Sequence, residues 1–340
     1  MSGVDMAGEG LGRDLDEQAY DAVLGAANKH EGTTDESVGS VGDFIIDQVI
    51  ELGSEPDAET QMAEYEEKQW FPDAGESKEV DTVPRWVDDL DAMTVPGGKA
   101  TNQAVAAARS GAETMMYGRA GNDSDAHEPL ADAGVGLDEM EMTDAETGTA
   151  YILLEDDGEN RILCYKDEGT LVDQDYIDDR FDELLAEDYL LATNGMETDV
   201  LCHLFARLEG HEDRPTVIFD PSPLDGVEKA LEYASVDYVT PNEVEYAALE
   251  DELTAGDYDV IETMAEGAKL NGEQVAYSPD VDVVDTTAAG DTFNGYFAGG
   301  LAADMDETDA IQYAVDAASS AVTEKGAMPS VPDRSEVLSM

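Results

Sequence analysis

The spacing of apolar residues along this chain changes several times, and each change marks an element. Leu15, Ala19, Val23 and Ala26 fall at helical spacing, which predicts a short amphipathic helix over 15–28. The HEGTTDESVGS stretch that follows reads as a linker, so residues 1–37 form an N-terminal extension. In VGSVGDFIIDQVIEL, Phe44, Ile45, Ile46, Val49 and Ile50 make a strand-like apolar run. From about Gly53 to Met93 the chain is polar and acidic, with a WFPDAG turn and no clear core; strands projecting from the main body are expected there. PGGKATNQAVAAARSG reads as a glycine turn, an Ala-rich helix and a glycine stop at Gly111. TMMYGRAG reads as a strand, and the DDGEN turn between two apolar runs predicts a β-hairpin over Tyr151–Tyr165.

Beyond the hairpin, helix and strand periods alternate. YIDDRFDELLAE, TDVLCHLFARLEG and VEKALEYA have helical spacing, while DYLLAT, TVIFDP and DYVTPNE read as strands. VDVV (Val281 to Val284) reads as a further short strand, followed by a helix from about Ala289 with Phe293, Tyr296, Phe297 and Leu301 on one face. Gly295, Ala298, Gly299 and Ala302 give that helix a small-residue face for close packing. The alternation predicts an α/β fold: a mainly parallel sheet covered on both faces. No internal repeat is present.

Composition then narrows the class. The 340 residues, 42% of them hydrophobic, suffice for a large core. The formal charge is −64, from 81 acidic and 17 basic residues, with the acids interleaved among periodic apolar positions. That interleaving favours a folded, acid-coated, salt-adapted protein over a disordered polyanion. A surface of this sign disfavours nucleic acid and anionic membranes as partners. Cys164 and Cys202 form no metal-type spacing, and the four histidines show no paired metal motif. No apolar run is long enough to span a bilayer, and the first residues lack the features of a signal peptide, so a cytoplasmic location is expected.

The candidate chemistry centres on VDTTAAGDTFNGYFAGGLAA. Small residues between a predicted strand and a predicted helix let backbone N–H groups approach a ligand, and the helix start adds partial positive charge, so the turn can hold an anion. Asp291 at this turn reads in two ways. It can complement the helix dipole, or it can act as a base beside a bound phosphate.

DTTAAGDTFNG resembles the C-terminal signature of the ribokinase-like (pfkB) family of sugar kinases, and PGGKATNQAVAAARSGA resembles its N-terminal glycine signature in the ribokinase form. GDFIID, YGRAGNDS, FDPSP, VTPNEVE and AVTEKGAMPSVP resemble further family segments in the same order, and together they cover roughly 38–335. The resemblance implies a three-layer kinase domain over 38–335, with a small β lid from about 53–93 and part of 147–167. It implies transfer of the γ-phosphate of MgATP to a sugar hydroxyl, with Asp291 as general base and the amides of Ala288, Ala289 and Gly290 as an anion hole. Asp47, Gly97, Gly98, Lys99, Asn102 and Asp291 match sugar contacts. Asn242, Glu245, Thr263 and Gly267 fall on the nucleotide side, with Glu245 acting on Mg2+ indirectly. An N-cap role is the alternative for Asn242. A K+ site is implied from Asp285, the carbonyls of Thr287, Ala321, Glu324 and Gly326, and Ser330. A homodimer is implied as well.

Three features depart from the pattern. Ile45 and Gly195 stand where ribokinases carry polar sugar contacts, with Glu197 two residues on; Ala265 replaces a glycine of the nucleotide element; and the lid segment is long. Ribose is the expected acceptor. Fructokinase, ketodeoxygluconate kinase and nucleoside kinase activities, or a non-catalytic regulatory role, are the alternatives. Neither a dinucleotide GxGxxG after the first strand nor a Walker GxxxxGK[ST] is present.

Overall fold

The computed structural model describes residues 36–340 except 53–61, 63, 64, 66, 67, 69, 74–76, 123–126 and 156–159. The expected helix over 15–28 and nearly all of the N-terminal extension lie outside the described residues. The strands are β1 (Ser37–Val41), β2 (Ile45–Glu51), β3 (Ser77–Glu79), β4 (Met93–Gly97), β5 (Glu113–Gly121), β6 (Val135–Gly136), β7 (Met140–Thr143), β8 (Gly148–Leu154) and β9 (Asn160–Tyr165). They continue with β10 (Tyr189–Thr193), β11 (Thr216–Asp220), β12 (Tyr238–Val239), β13 (Asp259–Met264), β14 (Gly267–Leu270) and β15 (Glu273–Tyr277). Among the described residues the four longest helices are α1 (Lys99–Ser110), α2 (Thr198–Leu208), α3 (Ala289–Ala302) and α4 (Glu307–Ala321).

The central sheet runs β15-β14-β13-β12-β11-β10-β1-β5-β6, with β7 also on β5. From β13 to β6 every pairing is parallel, and β13–β14–β15 closes one end as antiparallel hairpins. The strand period of two sorts side chains onto the two faces. Leu191 and Ile218 pack with α1, α3 and α4, whereas Leu190, Ala192, Val217 and Phe219 pack with α2 on the opposite side. This three-layer arrangement is the one expected from the alternation of periods.

A second sheet, ordered β3-β9-β8-β2-β4, stands beside the first. Its β8–β9 pair is the expected antiparallel hairpin. The apolar run over residues 38–52 divides between the two sheets, with β1 in the centre of the large one and β2 in the small one. The break falls at Gly42, where a Cβ would lie 2.7 Å from the Ala100 methyl, so the chain passes α1 there as bare backbone. Among its described residues, the acidic segment expected to supply lid strands contributes β3, the start of β4 and a short helix at Arg85–Asp88. It does have a core: Met62, Phe71, Val80, Trp86 and Val87 bury themselves against Ile50, Tyr151, Leu153 and Leu163 of the small sheet. Sparse aromatic residues in an acidic context carry no readable period, so that packing was invisible in the sequence.

Three other local expectations are corrected. VDVV is not a strand. The amides of Val284 and Asp285 both reach the Val322 carbonyl at the end of α4, and Val283 and Val284 stay more than half exposed. YIDDRFDELLAE forms two short helices, Gln174–Asp179 and Phe181–Ala186, because Arg180 leaves helical geometry. VEKALEYA forms a 3-10 helix at Val227–Glu232 rather than an α-helix.

Candidate active site

The C-terminal ends of the parallel strands open onto a cleft of about 740 Å³, where open α/β sheets place their ligands. It is lined among others by Lys99, Asp220, Asn242, Glu245, Thr263, Gly267, Ala288, Ala289, Gly290 and Asp291. Asp291 occupies the first turn of α3. Ala288, the residue before that helix, has φ of +58°, a left-handed conformation that costs an L-residue energy and turns the chain sharply into α3. Of the three amides expected to form an anion hole, that of Ala289 is shared with the Thr286 carbonyl at 3.3 Å. Gly290 faces open space, with nothing within 4 Å of where a Cβ would sit.

The Asp291 carboxylate is buried, at 4% exposure. Asn102 Nδ2 donates to its Oδ2 at 3.1 Å and Gln103 Nε2 donates to its Oδ1 at 3.2 Å. Lys99 Nζ stands 3.9 Å from Oδ1 and 3.3 Å from Asp220 Oδ2. Burial pushes the Asp291 pKa above the usual carboxylate range; Lys99 opposes that rise and Asp220 adds to it. Burial works against the charge on Lys99, yet Asp220 and Asp291 raise its pKa above the ordinary lysine value and keep it protonated. Lys99, Asn102 and Gln103 share one face of α1 at positions i, i+3 and i+4, which is why one helix delivers all three donors.

Asp47, in the middle of β2, faces the same centre from the small sheet. Burial, with the charge of Asp291 behind it, pushes its carboxyl up to about 7. Gly97 is glycine for a visible reason: a Cβ there would lie 2.3 Å from the Asp47 carboxylate. Gly98 has φ of +93°, and its Cβ would lie 2.7 Å from the Asp43 carbonyl. The sign of the Asp47 contribution to stability follows from the raised pKa. The unfolded chain releases this proton near 3.8 and the folded protein only near 7, so the contribution is complete below the first value and lost through the second. Asp47→Asn is therefore expected to be more stable than the parent at pH 8 by on the order of 2 kcal/mol, and to flatten the loss of stability between pH 4 and 7. Urea midpoints at pH 5 and pH 8 check this; a variant less stable at pH 8 contradicts it.

At the end of the cleft expected to take the nucleotide, Asn242 and Glu245 form a reciprocal helix cap. Asn242 Oδ1 accepts the amides of Val244 and Glu245, and Glu245 Oε2 accepts the Asn242 amide at 2.9 Å. Thr263 is 21 residues along (263 − 242) yet bridges Asn242 directly in parallel pairing, which brings the two together. Gly267 has φ of +133°, and a Cβ would lie 2.1 Å from the Ala276 carbonyl, so the β13–β14 turn itself demands glycine. Ala265, Val244, Val281, Val283 and Met264 give this end of the cleft an apolar lining. The volume lies within the usual range of small-molecule sites.

Asp285 ties the loop before α3 to the segment after α4. Its Oδ1 accepts the Thr287 amide and hydroxyl, and its Oδ2 accepts the Gly326 amide at 2.9 Å. Burial alone would raise its pKa, but these bonds lower it below the usual value, so the group is ionised. Ser330 is buried and donates to the Ala327 carbonyl, while the Ala321 carbonyl accepts the Glu324 amide in a turn. The ligand atoms expected for a monovalent cation are all oxygens, the donor type a hard cation takes. Among the described residues no cluster of three or more His, Cys, Asp or Glu side chains forms a transition-metal site.

Two residues at this centre were missed in the sequence: Asp220 and Gln103. Both lie inside segments that carry the family resemblance, FDPSP and PGGKATNQAVAAARSGA. The available signal was an acid closing the otherwise apolar strand TVIFD, since a charge at a buried strand end needs a partner.

A buried carboxylate at a helix start, an ammonium beside it and a cleft of small-molecule size suit a phosphotransferase that acts on an alcohol. A sequence profile of the pfkB family carbohydrate kinases matches residues 90–334, and the chain belongs to that family. It is 35% identical to the ribokinase of Bacillus subtilis (strain 168) over 260 residues, covering 72% of this chain and 87% of that one. It is 30% identical to an ATP-dependent ribose-1-phosphate kinase of Halopiger xanaduensis over 233 residues, covering 64% of this chain and 77% of that one. The crystal structure of Thermotoga maritima ribokinase superposes with a TM-score of 0.70 at 27% identity, covering 89% of this chain and 98% of that one. The three-layer fold and the sugar-kinase class expected from the sequence both stand.

Proposed function

We propose that this protein is an ATP-dependent ribokinase, forming ribose 5-phosphate, with Asp291 as the general base. One observation carries the reading: the Asp291 carboxylate is buried at the start of α3, beside Lys99 and the open backbone of Gly290. A base there takes the proton of a sugar hydroxyl held by Asp47, Gly97, Gly98, Lys99 and Asn102. The Lys99 ammonium and the amides of Ala288, Ala289 and Gly290 receive the charge of the phosphoryl group in transfer. Mg2+ would be held through Glu245, whose second carboxylate oxygen is not spent on the helix cap, and would neutralise phosphate charge. K+ would be held by Asp285, Ser330 and the carbonyls of Thr287, Ala321, Glu324 and Gly326, and would fix the loop that leads into α3. The small sheet acts as a lid over the sugar and as a homodimer surface, and the protein works in a salt-rich cytoplasm. Among the described residues no helix is long and apolar enough to cross a membrane.

The test is ADP release in molar KCl with MgATP, across ribose, ribose 1-phosphate, fructose, ketodeoxygluconate and nucleosides. Turnover with ribose supports the proposal. Turnover with ribose 1-phosphate alone supports a second reading, favoured by the similarity to the Halopiger enzyme. Silence with folded protein overturns both and moves weight to the regulatory alternative.

The surface charge sets a further expectation. At molar salt the Debye length is about 3 Å, against about 30 Å at 0.01 M, so self-repulsion among 81 acids is screened only at high salt. The melting temperature should rise steeply with KCl and turnover should vanish at 0.1 M; a salt-independent Tm contradicts the salt-adapted reading. Replacing K+ by tetramethylammonium at equal ionic strength isolates the specific cation, because the K+ proposal requires turnover to fall while Tm stays near its value.

A further inference from the structure

Asp220 and Gln103 form a clamp around the centre that the reaction as proposed does not use. Asp220 closes β11, and its Oδ1 is occupied by the Ser222 amide at 3.0 Å. That contact turns Oδ2 towards α1. Two donors from α1 meet it there: Lys99 Nζ at 3.3 Å and Gln103 Nε2 at 3.1 Å. The same two nitrogens also face Asp291 Oδ1, at 3.9 Å and 3.2 Å. One ammonium and one amide are thus divided between two carboxylates. Asp220 is 4% exposed and Gln103 fully buried, so the division is enforced by packing rather than chosen in solvent. The Gln103 Oε1 is buried without a partner, so the side chain forgoes one hydrogen bond while its nitrogen stays between the two acids.

The geometry points to Asp220 and Gln103 as positioning residues that set the basicity of Asp291 in opposite senses: Asp220 draws Lys99 away from it, and Gln103 donates a hydrogen bond to it. Asp220 holds the ammonium nearer to itself, so Lys99 neutralises Asp291 only in part. Gln103 spans the two acids and limits their repulsion. Asp291 Oδ1 then has the amide and the ammonium, whereas Oδ2 has the single donor Asn102 and is the oxygen left to accept a proton. The charged and titratable groups facing Asp291 are Lys99 from α1, Asp220 from β11 and Asp47 from β2. This inference rests on Asp291 being the base.

Two substitutions at the clamp should move the base in opposite directions. In Asp220→Asn the ammonium is free to turn to Asp291, whose pKa falls. In Gln103→Leu a donor to Asp291 is lost and the two acids repel more strongly, so its pKa rises. The expected result is an acid limb of the kcat profile displaced by about one pH unit downward in Asp220→Asn and upward in Gln103→Leu. In Asp220→Asn kcat should also fall about tenfold, with the KM for ATP unchanged, because a weaker base accepts the proton less readily. Asp220→Glu, which keeps the charge, should leave the limb in place. A lower kcat with both limbs unmoved, or a shift in the same direction in both variants, overturns the proposal. Should Asp220→Asn not fold, Gln103→Leu against Asp220→Glu decides the same question.

The Asp291 titration is also read without turnover, as the infrared carboxyl difference between each protein and its Asp291→Asn counterpart. If no sugar is phosphorylated by the parent, the proposed function has failed, while this titration still tests the clamp. If the parent turns over and the titration does not move, the clamp alone has failed.

Discussion

Asp291→Asn is expected to bind nucleotide as the parent does and to lose roughly 10²- to 10⁴-fold in kcat, the span that removal of a general base produces. Asparagine keeps the shape of the side chain, and its oxygen can still accept from Asn102 or Gln103. What it lacks is the capacity to take a proton from the sugar. The substitution also removes a buried charge whose pKa burial has already raised, and Lys99 keeps Asp220 as a partner at 3.3 Å. The melting temperature should therefore hold or rise, which separates lost chemistry from lost structure. Nucleotide affinity by calorimetry and single-turnover phosphorylation in molar KCl measure the two sides. Unchanged turnover would remove Asp291 from the reaction and leave it the alternative role of complementing the helix dipole.

The second large effect belongs to the contact that holds this centre together. Gly295 of α3 lies on the backbone of α1: a Cβ there would come within 2.5 Å of the Gln103 carbonyl and 2.4 Å of the Ala106 methyl. Neither atom is the end of a flexible side chain, so the helices themselves would have to part. Gly295→Val is expected to cost about 3 kcal/mol or more, lowering Tm by roughly 5 °C. Turnover should fall further than the loss of folded protein explains, because Gln103 and Asn102 ride on the helix that is pushed away and both bond Asp291. Gly290→Ala is the contrast. That position is open, so stability should hold or improve by about 1 kcal/mol through helix propensity, and any loss of turnover there reports on the anion site alone. A Gly295→Val protein with the Tm and activity of the parent contradicts this account of how α1 and α3 place the base.

Where each element lies was legible as far as its packing was periodic. DYLLAT and TVIFDP read as strands because residues buried on both faces of a parallel sheet leave continuous apolar runs. The Ala-rich helix ending at Gly111 was legible because a left-handed glycine, here at φ +106°, marks a helix end. VDVV was misread because β-branched composition states a preference for extended backbone, while pairing depends on whether a sheet edge is available. The core beneath the small sheet was missed because Met62, Phe71, Trp86 and their neighbours come from separate short pieces of chain, each too brief to show a period.

The candidate site divides in the same way. The sequence by itself determined the residue types that chemistry needs and their local geometry: Asp291 at a helix start, glycines where backbone must approach, and Lys99 and Asn102 on one helical face. These are short-range matters, decided within a turn or two of chain. Only the tertiary structure decided that Asp220, 71 residues from Asp291 (291 − 220), shares its lysine and its glutamine. It also decided that Gly97 makes room for Asp47, that Thr263 closes onto Asn242, and that Asp285 clasps Gly326. Charge interactions in a buried centre depend on distance in space and on desolvation, and neither quantity is written in the spacing of residues along a chain.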